Sequence, residues 1–147
     1  TGNADIRSGD GVDIITLASA KGIDIINVGG TNINLVDKSA QTHTAIISDK
    51  IINFDPNSDK IGIGAITATS NNFLAETGAT NFGDALSKSN VAMASGKQYY
   101  FSYNVASAAE GFSLLFYDND NNGSSDIVLT LTGITTNVIS HENLIIV

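Results

Sequence analysis

Apolar residues in the first quarter of the chain come as short pieces separated by glycine and aspartate. The pieces are Ile6, then Ile14-Ile15, then Ile25-Ile26, and finally Ile33 and Leu35. No i, i+3, i+4 spacing connects them, so the pattern argues against an amphipathic helix. It indicates very short strands joined by turns.

Two of these pieces belong to a repeat. Residues Ser8–Thr16 and Ser19–Asn27 both read S-x-x-G-x-D-I-I-x, with an offset of eleven residues. The pattern is close to the nonapeptide of a parallel β-roll, in which each unit is a turn followed by a short strand with one inward apolar residue. Ile15 and Ile26 occupy that inward position here, although serine replaces the first glycine of both units.

The rest of the chain predicts more strands and one helix. Two short strands flank a turn at residues 55–58, and a helix over residues 80–95 has Thr80 or Asn81 as its cap. After the helix, apolar runs predict strands at Tyr99–Val105, Phe112–Tyr117, Asp126–Thr132 and Asn143–Val147.

The fold class that follows is mainly β. We expect a short parallel β-roll over residues 1–37, leading into an antiparallel, β-sandwich-like part over residues 38–147 that contains the one α-helix. We expect the two parts to form one compact unit.

Composition narrows the classes of partner. The 147 residues include 7 basic and 15 acidic side chains, for a formal net charge of −8 and no cysteine. We expect no nucleic-acid partner, because a basic surface is needed for one. We also expect no membrane insertion, because no apolar run approaches about 20 residues. The first residues do not resemble a secretory signal. The absence of cysteine excludes disulfides and zinc–thiolate sites and suits an extracellular protein ordered by hard cations.

The motifs occur in a characteristic order. The repeat is followed by D-x-I-x-x-F-x-x-x-x-D-x-I at residues 49–61, by a hairpin with an acidic turn that ends in L-T-G, and by an apolar tail. This order resembles the carboxy-terminal region of RTX proteins, which type I secretion systems of bacteria export and which includes the serralysin-like proteases. The matching residues are Gly9, Gly11, Asp13, Gly22, Asp24, Asp49, Ile51, Phe54, Asp59, Ile61, Asp118–Leu131, Gly133 and Leu144–Val147.

The resemblance implies calcium binding by roll aspartates and turn carbonyls. It also implies an uncleaved export signal at the carboxy terminus, the type I secretion machinery as a partner, and a place outside the cell or at the bacterial cell surface. The H-E-x-x-H zinc motif of the proteases is absent from this chain, so the catalytic domain is not in it.

The first candidate calcium site lies in the roll. One turn of a roll takes about 18 residues, and residues 1–7 form a weaker repeat with Asp5 at the aspartate position. Asp5 and Asp24 are separated by close to one such turn, so we expect them to stack on one side and share an ion. The alternative is that these glycines and aspartates only make turns. The full set of candidates is Asp5, Gly9, Asp10, Gly11, Asp13, Gly22 and Asp24.

The second candidate is the acidic hairpin turn. Read as an EF-type calcium loop, Asp118, Asp120, Asn122 and Asp126 supply positions 1, 3, 5 and 9, with glycine at position 6. Position 12 is Leu129, where a bidentate glutamate belongs. Asn-Gly between apolar runs is also a strong hairpin signal without any metal, so a plain turn remains the alternative.

The function that we expect is non-enzymatic. No nucleophile–base pair, phosphate loop or paired catalytic carboxylates stand out. The leading hypothesis is a calcium-stabilised carboxy-terminal module of a larger secreted protein, most simply a surface-layer protein or adhesin, with self-association or a cell-surface glycan as further partners. The alternatives are the tail of a secreted protease or lipase, and a glycan-binding module with residues 99–103 as an aromatic platform.

Overall fold

Short parallel strands that alternate between two sheets recur from the first to the last part of the chain. The computed structural model describes residues 3–18, 22–107 and 111–146. These residues form eleven strands and one α-helix, so the expectation of a mainly β fold with a single helix is confirmed. The elements are β1 (Asp5–Arg7), β2 (Ile14–Thr16), β3 (Ile25–Asn27), β4 (Thr31–Asn32), β5 (Lys50–Ile52), β6 (Lys60–Gly62), β7 (Phe73–Glu76), α1 (Phe82–Ala94), β8 (Tyr99–Ser102), β9 (Phe112–Tyr117), β10 (Ile127–Thr132) and β11 (Leu144–Ile145).

The strands divide between two sheets. The first sheet has the order β1-β3-β6-β11 and is parallel throughout. The second has the order β2-β5-β10-β9-β8-β7, in which β2, β5 and β10 are parallel and β10, β9 and β8 are antiparallel. Its seventh strand, β4, pairs antiparallel with β10 off this path. The chain therefore passes from sheet to sheet and adds a new coil each time, which is the architecture of a β-roll.

Two columns of apolar side chains explain why such short strands are stable. In the first sheet Ile6, Ile26, Ile61 and Leu144 lie side by side in register. In the second sheet Ile15, Ile51 and Leu131 do the same. The two columns belong to one apolar core between the sheets. Burial of this core supplies the stability that the few backbone hydrogen bonds of two- or three-residue strands do not provide alone.

The predicted boundary at residue 37 does not mark the end of the roll. β2 pairs with β5, and β3 pairs with β6, so parallel pairing crosses that boundary in both sheets. The residues of the D-x-I-x-x-F-x-x-x-x-D-x-I motif form two further strands of the roll, rather than two strands that pair with each other. The repeat is hard to follow along the sequence because residues 31–49 and 63–126 leave the roll between successive coils.

The second excursion, residues 63–126, carries the helix and the antiparallel strands. The helix agrees with the prediction within two residues, and Asn81 is its cap, accepting the backbone N–H of Asp84 at 2.8 Å. It packs on the outer face of the second sheet through a separate apolar core that includes Phe82 and Met93. β7, which the sequence did not predict, pairs in parallel with β8.

The ends of the predicted strands differ slightly from the observed ones. The strand expected at Tyr99–Val105 ends at Ser102, and the one expected at Asp126–Thr132 begins at Ile127. The carboxy-terminal strand covers Leu144–Ile145, because Asn143 belongs to a 3-10 turn. Residue 147 of the predicted strand, and residues 19–21 of the second repeat, lie outside the described residues.

Candidate metal centre

Three carboxylates meet in the turn between β9 and β10, which we call the β9–β10 loop (residues 118–126). One oxygen from each of Asp118, Asp120 and Asp126 lies within 4.8 Å of the others. The antiparallel pairing of Tyr117 with Ile127 sets the first and last of these residues side by side. The hairpin therefore brings Asp126 back beside Asp118 and Asp120.

The carboxylates hold the loop in shape by accepting backbone N–H groups. Asp118 accepts from Asn122 at 3.2 Å and from Gly123 at 2.8 Å, and Asp126 accepts from residue 119 at 2.8 Å. Gly123 has φ of +86°, which glycine adopts without strain. This places glycine at the sixth position of the loop, as the sharp turn of an EF-type loop requires.

The loop also lies against the carboxy-terminal end of α1. A Cβ atom on Gly123 would come within 3.6 Å of the Ala94 Cα. Two contacts anchor the loop, since the backbone N–H of Ser125 donates to the Asn90 side chain and the hydroxyls of Ser89 and Ser125 lie 2.8 Å apart. The last turn of the helix has no basic residue, so the partial negative charge of the helix end adds to that of the acids.

This arrangement has the chemistry of a hard-cation site. Asp118 is buried, Asp126 is half-buried, and Asp120 and Asn122 are exposed. Together they present carboxylate and amide oxygens, the donors that calcium and magnesium take. Leu129, at the twelfth position, is fully buried in β10, so the bidentate ligand of a complete EF-type loop is missing. Of the residues that the structure describes, these three acids form the one group of three or more candidate ligands that meets in space.

In the described part of the chain the aspartates of the roll form no such cluster, and three of them accept a backbone N–H from the neighbouring coil. Asp24 accepts the backbone N–H of Ala4, Asp49 that of Asp13, and Asp59 that of Asp24, each at 3.0 Å. In each pair the carboxylate belongs to the later coil and the N–H to the same position of the coil before. We call this set of bonds the aspartate ladder; it joins the coils to one another without a metal.

The expected pairing of Asp5 with Asp24 is wrong by one residue. Asp5 lies opposite Ile25, so the residue opposite Asp24 is Ala4. The Asp5 carboxylate instead accepts a hydrogen bond from the Asn27 side chain at 3.1 Å. The repeat in residues 1–7 is aligned by the inward Ile6, and that alignment puts alanine at the aspartate position.

The other roll candidates lie in turns. Gly9, Asp10 and Gly11 form an exposed turn before the half-buried Asp13, and Gly22 precedes the buried Asp24 in the next turn. The structure describes no group of three carboxylates among them.

Asp49 has a structural role that the resemblance alone did not indicate. It is almost fully buried, and burial, followed by the nearby charge of Asp13, raises the pKa of its carboxyl. Asp49 stands two positions before the inward Ile51, just as Asp13 stands before Ile15. This spacing was the signal that could have placed it in the ladder.

The aromatic run at residues 99–103 faces inward. Tyr99, Tyr100 and Phe101 are fully buried, and the Tyr100 hydroxyl donates to Glu76 at 2.9 Å. The rings therefore fill both cores of the second sheet, and only the half-buried Tyr103 reaches the surface.

Comparison with known proteins adds no assignment. No protein-family model matches this chain, and no curated protein sequence matches it. Within the described ranges, no helix has the length and apolar character needed to cross a bilayer.

Proposed function

We propose that this chain is a calcium-stabilised, non-catalytic module of a larger exported protein, and that the β9–β10 loop is its calcium site. One observation carries the proposal: three carboxylate oxygens, from Asp118, Asp120 and Asp126, lie within 4.8 Å of one another beside a helix end without a basic residue.

Calcium fits these donors better than other common ions. The ligands are oxygens only, without the imidazole or thiolate that zinc, copper and nickel prefer. Magnesium demands a near-ideal octahedron of ligands at short distance, whereas calcium accepts irregular sets of six to eight oxygens. The four side chains of the loop leave positions that backbone carbonyls and water complete.

An ion in this loop would stabilise the whole fold because of where the loop sits. It joins β9 to β10, and it contacts the end of α1 through Ser125. β10 in turn pairs with β5 of the roll. Binding to the folded state alone adds RT ln(1 + [L]/Kd) to the free energy of unfolding, so a calcium concentration of about 100 Kd would contribute about 2.7 kcal/mol.

Thermal unfolding with and without calcium tests the site. Excess calcium is expected to raise the melting temperature relative to EGTA, and Asp120→Asn is expected to remove most of that rise. Asp120 is suited to the test because it is exposed and its bond to the Asn122 N–H, at 3.1 Å, can be made by asparagine as well.

Asp55→Asn is the matched control. Asp55 is also exposed and accepts the backbone N–H two positions ahead, from Asn57 at 2.9 Å. Within the described residues it belongs to no group of three candidate ligands, so this variant is expected to keep the full calcium response. Identical melting curves in calcium and EGTA, or an equal loss of response in both variants, would rule out the loop as a calcium site.

We also propose, from the resemblance to RTX proteins, that the carboxy-terminal tail is read by a type I export system. In the folded chain Leu144 is buried and β11 pairs with β6, so the tail is available to an exporter only before the roll closes. Low calcium inside the cell would keep it available.

Secretion of a truncated chain tests this second proposal. Deletion of residues 143–147 is expected to abolish export through a type I system while the chain accumulates inside the cell. Leu144→Ala is the control, since it weakens the packing of β11 but keeps the tail. Normal secretion of the truncated chain would contradict the proposal, whatever the result for calcium.

A further inference from the structure

One end of the roll, which we call the open edge, is formed by β1 in the first sheet and β2 in the second. Each is an outermost strand of its sheet. On β2, the Asp13 carbonyl accepts from Lys50 and the Leu17 N–H donates to Ile52. Because backbone groups alternate in direction along a strand, those of Ile14 and Thr16 point away from β5.

The side chains at the open edge are incompletely covered. Ile14 is 65% exposed, and Val12 and Ile23 are each about half exposed. The inward residues Ile6 and Ile15 are only partly buried, whereas Ile51 in the next coil is completely so. An uncapped end of this kind leaves the apolar cross-section of a repeat fold in contact with water.

The aspartate ladder ends at this edge with an unsatisfied atom. In the second sheet Asp49 accepts the N–H of Asp13, and Asp13 holds the same position one coil earlier. Asp13 Oδ2 is buried and has no hydrogen-bond partner in the described part of the chain. By the rule of the ladder, the carboxylate of Asp13 would accept a backbone N–H from a coil lying beyond β2, in parallel with it. A buried carboxylate oxygen without a donor is costly.

The order of the strands identifies where that coil comes from. In the first sheet the spatial order β1-β3-β6-β11 follows the order in the sequence, and so does β2-β5-β10 in the second. A strand added outside β1 or β2 in the same progression precedes β1 in the polypeptide.

A second copy of the chain fits this edge poorly. A head-to-tail stack would need a free edge on β10, but β9 occupies it. A two-fold dimer would pair β2 with its own copy in the antiparallel direction, whereas every bond of the ladder joins parallel coils.

We propose that the open edge docks one further β-roll coil that precedes β1 in the same polypeptide, adds in parallel to β1 and β2, and donates a backbone N–H to the Asp13 carboxylate. The proposal extends the role as a module of a larger protein, and it does not depend on calcium binding by the β9–β10 loop.

The proposal is tested by adding one coil to the chain. Asp5 pairs with Ile25, so a second copy of residues 3–22 inserted before Asn3 repeats the natural spacing from one coil to the next. In the natural chain the amides of Ile14 and Thr16 are expected to exchange rapidly with solvent. In the extended chain their protection is expected to rise by more than about tenfold, and the melting temperature is expected to rise with it.

Two controls separate docking from mere lengthening. Proline at the Ile15 position of the added copy removes an N–H that faces β2, and is expected to abolish both gains. Asp13→Ala is expected to reduce the stability gained from the coil, while Asp10→Ala, in the exposed turn of the same repeat, leaves the gain unchanged. Each variant is compared with its own parent lacking the coil, so that loss of stability in the parent does not enter the result.

The opposing outcomes are specific. Unchanged exchange at Ile14 and Thr16 in the extended chain, or equal protection by the proline coil, would overturn the proposal. Protection of these amides in the natural chain that grows with concentration, together with a dimer in sedimentation, would assign the edge to a second copy instead. The measurement in EGTA with Asp120→Asn is expected to give the same protection, so failure of the calcium site and failure of the docking edge are distinguishable.

Discussion

The aspartates of this protein occur in two different structural settings. In the roll, Asp24, Asp49 and Asp59 each bind a backbone N–H of the neighbouring coil. In the β9–β10 loop, the acids also bind backbone N–H groups, but three of them are forced together. The difference lies in spacing: one carboxylate per coil finds one donor, whereas three in a single short loop repel one another unless a cation lies between them.

The ionisation of Asp49 is expected to make the free energy of unfolding depend on pH. Burial raises the pKa of its carboxyl in the folded state above the ordinary value, so ionisation of Asp49 opposes folding. The penalty is absent below the ordinary pKa and grows as pH rises through the raised one. Relative to Asp49→Asn, the free energy of unfolding of the natural chain is therefore expected to fall as the pH rises above the ordinary range of an aspartate carboxyl, as measured by urea unfolding.

Asp37 provides a control of opposite sign. Hydrogen bonds from the backbone and side chain of Ser39 lower the pKa of this exposed carboxyl. Its contribution is lost as pH falls, so the comparison with Asp37→Asn is expected to slope the other way and weakly. A flat difference between the natural chain and Asp49→Asn would contradict the role given to burial.

Substitution of an inward isoleucine is expected to lower the free energy of unfolding more than substitution of an exposed isoleucine. Ile51 is completely buried, and Ile51→Val is expected to cost about 1 kcal/mol because a methylene group is lost from a packed core. Ile14→Val, on the exposed edge, is expected to change the free energy of unfolding by less than about 0.5 kcal/mol. Similar costs at the two positions would show that the columns are not the source of the stability of the roll.

Among the elements, the helix has the clearest local start signal. Asn81 accepts the N–H of Asp84, and Asp84 in return accepts the N–H of Thr80 at 2.9 Å. Reciprocal bonds of this kind stabilise the first turn through residues that are neighbours in the sequence. This is why the helix and its cap could be placed from the sequence.

Removal of the cap gives a test at this scale. Asn81→Ala is expected to lower the free energy of unfolding by about 1 kcal/mol, measured in urea. Ser87→Ala, on the exposed face of the same helix, is expected to be neutral or slightly stabilising, since alanine is the better helix former. If the two variants were equal, the cap would contribute nothing beyond helix propensity.

Elements with local signals are predictable, and their distant partners are not. β9 was predicted residue for residue from its apolar run, and the acidic loop from its spacing of aspartates. The pairing of β5 with β10 was out of reach because the whole of residues 53–126 separates the two strands and no local pattern encodes the match. The contact between the loop and the end of α1, through Ser89 and Ser125, was missed for the same reason.

The whole molecule is built so that its parts depend on β10. This strand pairs with β5 of the roll on one side and with β9 of the excursion on the other. It also contributes Val128 to the core under the helix and Leu129 to the core between the sheets. Separate unfolding of the roll would expose both cores at once.

A single cooperative transition is therefore expected. Leu114 and Phe116 of β9 belong to the core under the helix, so their amide signals report on the excursion. Amide signals of Ile26 and Ile51 report on the roll. The two are expected to give the same urea midpoint, and a roll that melts before the excursion would contradict this dependence on β10.

The position of β10 late in the chain also sets an order of events during folding. Lys50 pairs with Thr130, 80 residues further along the sequence, so β5 does not have β10 as a partner until synthesis has come that far. Closing so long a loop is slow compared with local pairing. A chain that emerges from the ribosome amino terminus first is thus expected to stay open, with its early coils unfinished, until β10 has been synthesised.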